Sequence, residues 1–443
     1  MTTTLIDNTL QERIAGHEKE QKRHLLRNYL ALSLEGGIYM GGMSFVMPQT
    51  ILPRVIESLD GPRWLIALLP TIMIVGILGP SLFVGHRVAR MVRVKPLVLA
   101  TGIPQRLPYF LAGILLLFFA ARVPGPMLAG FIAIIPLLSG LAGGISLTAF
   151  QEFVARAIPK HRLSSLWAVR NLLSALLGMA AGQAVAVVLA RWPGTTGYGI
   201  LHIATFCCIM LSFIAFIATR EIILPGVKTN GDLRWRDFTA SLLIFIRSDP
   251  QLRRYLTSRF FAMGMQITIP FLSIHALSAM HKPDSYLGFL VMANMAGSIT
   301  GNILGALLGD RLGSRFLVLS SNVGYVLLCL WAPLAHTQWE FTAIYVLLGL
   351  SFAMDGIGVP ALGFSISPVD KRVAYLTSMA TLTLASIMVL SLINIGLARM
   401  PRSFALQSAV SGLCVAVSLC SLWRIKVPRT VRVSDTRRMD IVN

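Results

Sequence analysis

The sequence predicts an all-α integral membrane protein of about twelve transmembrane helices, in two six-helix bundles related by internal pseudo-symmetry, with both termini cytoplasmic. Three observations carry that prediction. Of 443 residues, 55% are hydrophobic and only 13% charged, and the mean hydropathy is +0.70, too apolar for a chain whose surface must be wetted. Apolar runs of about 20 residues, the length that crosses a hydrocarbon core at 1.5 Å per residue, recur along the whole chain. The basic residues behind a formal charge of +20 fall in short clusters at alternate connections. That is the pattern of cytoplasmic loops, not of a soluble nucleic-acid-binding surface.

Residues 1–27 are polar and charged, without the apolar run and cleavage site of a removable signal, and read as a cytoplasmic segment. Spans over 28–52, 63–85, 96–121, 127–151, 164–190 and 197–219 then make an N-terminal bundle, 28–219. The longest connection, 220–254, contains LRWRDFTASLLIFIR, which fits either an interfacial amphipathic helix or a plain cytosolic linker. Spans over 255–280, 286–309, 315–335, 340–367, 373–398 and 403–424 make the C-terminal bundle, 255–424, and 425–443 is a basic cytoplasmic tail. Clusters such as Arg87, Arg90, Arg93 and Lys95, or Arg156, Lys160 and Arg162, mark the cytoplasmic connections. The five cysteines lie inside apolar runs with neither disulfide nor metal spacing.

The two halves resemble each other. LLSGLAGGISLTAFQEFVARAIPKHR (137–162) and LLGLSFAMDGIGVPALGFSISPVDKR (347–372) share a glycine-interrupted span closing on Pro and a basic exit, and VKPLVL and SRFLVL open the third and ninth spans. A parallel internal duplication of this kind is common in secondary transporters. Span eight carries Gly297, Gly301, Gly305 and Gly309, and span five carries Ser174, Gly178, Gly182 and Ala186, each at a spacing of four. Such rows let helix backbones approach closely in lipid. They mark either a seam involving both halves or ordinary packing within each half.

ALLGDRLGSRFLVL (306–319) resembles the loop motif of the major facilitator superfamily, Gly-x-Leu-Ala-Asp-Arg-x-Gly-Arg-Arg. Asp310, Arg311, Gly313 and Arg315 fill its Asp, Arg, Gly and second basic positions, while Ala306 replaces the leading Gly. The first half, VGHRVARMVRVKPLVL, keeps the bases but has no acid. The resemblance covers nearly the whole chain, about 28–425. It implies that Asp310, Arg311 and Arg315 act as a gating loop, that the first, fourth, seventh and tenth spans line a central cavity, and that the protein sits in a bacterial inner membrane.

Buried charge should then concentrate on those spans. Ionisable side chains cost roughly 2.5–3.5 kcal/mol or more near a bilayer centre and persist where they face a protein interior or a wet cavity. Glu35, on the first span, and Asp355, on the tenth, are the candidate proton-coupling acids, each able to bind and release a proton as access alternates. Gly356, Gly358 and Pro360 should weaken the helix around Asp355. No obvious base matches Asp355 in depth, whereas Arg106 on the third span could pair with Glu35 or touch substrate. Glu152 lies close enough to the cytoplasmic loop to be solvated or paired with Arg156 or Arg170. Gln266, Asn294, Met40, Met43 and Met354 are further substrate-site candidates. His275 reads as an interfacial imidazole or a proton relay. The methionines suit either an adaptable greasy pocket or, as soft donors, copper(I); no metal site is assigned.

P-loop, HExxH and nucleophile-elbow motifs are absent, so neither an enzyme nor a cofactor is expected. The expected function is a proton-coupled secondary transporter that moves a small organic, amphipathic solute by alternating access, with export preferred over import. Its expected partners are the solute, protons and membrane lipids, without nucleic acid, and the expected state is a monomer. The alternatives are an uptake carrier for a metal, a metal chelate or another nutrient, and a non-transporting sensor or scaffold.

Overall fold

A computed structural model describes residues 2–88, 91–223, 249–367, 372–400 and 403–425. The proposed interfacial helix (233–247) and the basic tail beyond Ile425 lie outside the described residues. Among the described residues every regular element is helical, and eleven helical stretches are long and apolar enough to cross a membrane, with Thr381–Leu397 a shorter apolar twelfth. The chain is an integral multi-pass membrane protein.

The first helix, α1 (Thr2–Met43), runs unbroken from the polar N-terminal segment into the first span. The charged stretch expected as a separate segment is therefore a helical extension of that span. A short turn leads to α2 (Ile51–Ser58) at the far end. The rest of the first half is α3 (Arg63–Val88), α4 (Lys95–Ile114), α5 (Gly125–Ala157), α6 (Lys160–Arg191) and α7 (Thr195–Ile217). The seventh span is two helices, α8 (Pro250–Ala262) and α9 (Met265–Met280), broken at Met263–Gly264. Then follow α10 (Leu287–Leu312), α11 (Ser314–Trp331), α12 (Gln338–Ile366), α13 (Arg372–Leu397) and α14 (Ser403–Trp423).

Local chemistry sets several boundaries. Asp249 accepts hydrogen bonds from the Gln251 and Leu252 amides, at 2.7 and 3.2 Å, and caps α8. Thr337 and Glu340 form a reciprocal capping box that starts α12. Gly313 turns the chain from α10 to α11 at φ +85°, a conformation costly for any residue with a Cβ. α12 departs from expectation: it continues through Gly356, Gly358 and Pro360 to Ile366, with Gly358 packed on Leu317 and Val318 of α11 while Gly356 and Pro360 are exposed.

Helix pairing repeats between the halves. In the first, α3 packs on α5, α4 on α5 and α7, and α1 on α6 and α7; in the second, α10 packs on α12, α11 on α12 and α14, and the broken α8–α9 on α13 and α14. The halves meet by exchange, α6 against α10 and α3 against α13.

The hydrophobic core shows which end is closed. One cluster joins both halves and draws on α2, the ends of α3 and α7 remote from the basic loops, α9 and the start of α12, with Val46, Ile51, Leu69, Tyr198, Leu272, Leu290 and Tyr345 among its members. At the basic end the core divides. Leu32, Val88, Val94, Phe153, Leu166 and Phe216 form a cluster within the first half, and Leu252, Leu256, Val318, Leu362 and Leu422 form one within the second.

Candidate functional site

The buried charges lie in the layer where the shared core gives way to the two separate ones. On α1, Glu35 falls between Leu32 of the first-half cluster and Val46 of the shared one. On α12, Asp355 falls between Leu348 and Leu362, and Arg259 stands between Leu256 and Met265. Arg106 and Arg170 are bracketed in the same way, by Val94 and Tyr109 and by Leu166 and Val185.

Glu35 does not pair with Arg106. Its partner is Arg170 of α6, whose Nη1 donates to Glu35 Oε2 at 2.7 Å and to the Leu32 carbonyl at 2.6 Å. The guanidinium also lies over Trp167 and Phe150, 4.9 and 5.3 Å from their ring centres. The glycines beside Glu35 explain how it fits: a Cβ at Gly36 would fall on the Arg170 guanidinium, one at Gly37 on Leu173 and one at Gly41 on Leu177. The stretch EGGIYMGG (35–42) thus lets α6 approach almost to backbone contact, and Gly42 does the same for Cys208 of α7. The glycine pairs were visible in the sequence; the helix they faced was not.

Arg106 is satisfied elsewhere. Its Nε donates to the Ile209 carbonyl at 2.6 Å, its Nη1 to the Gly102 carbonyl at 2.7 Å and to Gln105 Oε1 at 3.3 Å, and it stacks near Phe213. Gln105 in turn donates to Tyr39 Oη at 3.0 Å. Arg106 therefore fastens α4 to α7 and α1 instead of neutralising the acid on α1.

Asp355 also has a basic partner that the sequence did not reveal. Arg259 of α8 reaches it with both terminal nitrogens, at 3.0 and 3.2 Å. The fork geometry suits a carboxylate. Arg259 was missed because it lies near a span entrance, 96 residues before Asp355 in the chain, and only tertiary packing sets the two at one depth. This pair is looser than the first: the Asp355 side chain is 19% exposed against 11% for Glu35. It borders a cavity of about 30 Å³ lined by Met263, Gln266, Tyr325 and Phe352.

The other candidates scatter. Gln266 lines the Asp355 cavity. Met43 lines a separate small cavity with Met73 and His202, Met354 is buried, and Met40 is 57% exposed. Asn294 is buried where Gly349 of α12 crosses its backbone. His275 stacks on Phe404 at 3.9 Å. Glu152 pairs with Arg156 at 2.7 Å. No group of three or more His, Cys, Asp or Glu side chains suited to a metal occurs among the described residues.

The two glycine rows do different work. Gly182 of α6 lies on Gly288 and Met292 of α10, and Gly178 lies on Met295, so this row is a seam between halves. Gly297 and Gly301 meet Val346 and Leu350 of α12, and Gly305 meets Ile357, so the α10 row packs within its own half. A helix has several faces, and spacing alone does not say which neighbour each row meets.

At the end remote from the basic loops, Arg54 Nε bonds Asp284 Oδ1 at 2.8 Å, and Tyr198 donates to Asp284 Oδ2 at 2.6 Å, joining the halves. Arg63 donates to Ser403 at 3.0 Å beside them. In the expected gating loop, Arg315 donates to the Trp423 carbonyl within its own half and Arg311 is exposed. The Asp310 side chain lies outside the described residues.

A polar seam along α14 was also missed. Ser418 bonds Ser258 and Asn322, Ser411 bonds Thr268 and the Gly264 carbonyl, and Gln407 bonds Asn394. The spacing of Ser403, Gln407, Ser411 and Ser418 at fours and sevens was the available signal.

Neither a family model nor a curated protein matches the sequence. Solved structures do resemble the fold. A point mutant of the nucleoside transporter NupG superposes with a TM-score of 0.67 at 12% identity over 90% of this chain and 98% of its own. A D-xylose-proton symporter gives 0.66 at 13% identity over 91% and 98%. A peptide transporter POT in complex with sulfate gives 0.62 at 13% identity over 90% and 94%. The fold is the two-bundle fold of the major facilitator transporters, as the loop motif implied.

Proposed function

We propose that this chain is a proton-coupled secondary transporter that moves a small amphipathic organic solute by rocking its two six-helix halves, and that Asp355 is its coupling acid. The reading rests on the Asp355–Arg259 pair, which stands beside a cavity in the layer where the shared core divides. A group there meets one compartment when the basic end is open and the other when that end closes. With the basic loops cytoplasmic, the described arrangement is inward-open.

Pairing alters the roles expected of the two acids. Glu35 is bound by a base that is itself fixed by a carbonyl and two aromatic faces, which makes it a helix-positioning group. Asp355 is more exposed and its partner is held by fewer contacts, so a proton on Asp355 would release Arg259 toward a solute. At about 30 Å³ the cavity has room for no more than a water in this arrangement, but its wall, with Met263, Ile269 and Phe352 around Gln266 and Tyr325, would suit an apolar body with few polar groups once widened by rocking of the halves. That lining favours an amphipathic compound, export is the direction we propose for it, and the likeness to transporters of nucleosides, a sugar and peptides supports transport as such.

Pairing of both acids also favours a second reading, a scaffold that has lost its cycle. Proteoliposomes separate the two. With a panel of fluorescent amphipathic dyes, the transporter reading expects accumulation driven by an imposed proton gradient, abolished by Asp355→Asn while downhill counterflow persists. Absence of dye flux at any gradient supports the scaffold, and undiminished uphill flux in Asp355→Asn removes the coupling assignment. Flux only in the opposite direction would make it an uptake carrier.

A further inference from the structure

At the basic end of the first half, a cleft of about 690 Å³ opens between the α1 extension, the α3–α4 connection and the end of α7. Four cations, Arg27, Arg93, Lys95 and Arg220, line it against two carboxylates, Glu20 and Glu221. Much of this charge is committed to backbone. Arg27 donates to the Ala218 carbonyl at 2.7 Å, and Lys95 to the Ile217 and Thr219 carbonyls at 2.9 and 2.7 Å, capping α7. Glu221 accepts from the Val94 and Lys95 amides at 2.6 and 3.1 Å, capping the start of α4.

The Arg93 and Arg220 side chains are left over. Both are exposed, both line the cleft, and neither has a side-chain partner among the described residues. His24 stands beside them, and Leu99, Ile217 and Ile223 supply an apolar wall. Two guanidinium forks without side-chain partners, with Glu221 already bound to the Val94 and Lys95 amides, suit a tetrahedral oxyanion, and Glu20 is the lining carboxylate that such an anion must avoid. An apolar wall at the membrane edge extends that receptor toward acyl chains.

We propose that this cleft binds a phosphate group between Arg93 and Arg220, supplied either by an anionic phospholipid of the cytoplasmic leaflet or by a soluble phosphate. A phosphate here cross-links two segments of one half, the loop before α4 and the exit of α7.

The test uses the full chain in detergent, with Arg93→Gln/Arg220→Gln as the site variant and Arg122→Gln/Arg191→Gln, at the opposite end, as the charge control. Neither pair touches the α7 or α4 caps, so unchanged melting without ligand is expected for both. Native mass spectrometry with phosphatidylglycerol against phosphatidylcholine, and calorimetry with inorganic phosphate, read the ligand. Preferential retention of phosphatidylglycerol, reduced on the order of tenfold or more in the site variant alone, supports the lipid source. Saturable binding of inorganic phosphate lost in the site variant, without lipid preference, supports the soluble source. Binding that survives in the site variant, that falls equally in the control, or that is absent for both probes overturns the proposal.

Discussion

Breaking the Glu35–Arg170 pair from either side should have unequal consequences. Arg170→Gln leaves a carboxylate buried on α1 without any basic side chain bonded to it, since the Arg106 donors go to Ile209, Gly102 and Gln105. Removing one member of a buried pair costs about 3–5 kcal/mol. Glu35→Gln is milder, because Arg170 keeps the Leu32 carbonyl and the faces of Trp167 and Phe150 and an amide oxygen can still accept its Nη1. Glu35→Gln/Arg170→Gln removes both charges and should recover about half or more of the Arg170→Gln loss. With an unfolding entropy of about 2 cal/mol/K per residue, about 4 kcal/mol amounts to about 4 °C for a chain of this size. The assay is a double-mutant cycle on detergent-solubilised melting temperature and folded yield, with Arg106→Gln as the comparison. Additive losses for Glu35 and Arg170, or coupling of Glu35 to Arg106 instead, would refute the assigned partner.

Gly36→Ala should mimic Arg170→Gln, because its methyl group would displace the guanidinium; an unchanged melting temperature would show that α6 yields at no cost. Arg54→Gln or Asp284→Asn should favour opening of the end remote from the basic loops, by about 1 kcal/mol for a pair this exposed and hence roughly fivefold in population; electron-electron distances across that face would lengthen if so. Gly182→Leu should separate the halves and reduce transport while sparing folding of each, whereas Gly301→Leu should lower folded yield, because it wedges α10 from α12. Equal effects of these two substitutions on yield and transport would contradict their assignment to different interfaces.

The sequence by itself determined the membrane class, the number and approximate limits of the spans and the repeated architecture, because hydrophobic length, alternate basic loops and similar segments are properties of the chain taken locally. It also singled out Glu35 and Asp355, since a carboxylate in an apolar run is conspicuous wherever the helix packs. Their partners were a different matter. Arg170 and Arg259 look like basic residues near span entrances, and Arg106 looks the better match for Glu35 by depth. Only the packing of α1 against α6, made possible by Gly36, Gly37 and Gly41, places Arg170 on the acid, and only the tertiary placement of α8 beside α12 brings Arg259 to Asp355. The same limit applies to the glycine rows, where identical spacing serves a seam between halves on α6 and a seam within one half on α10. Helical periodicity fixes which residues share a face, but the neighbour that covers the face is chosen by three-dimensional packing among residues far apart in the chain, and the site depends on that choice.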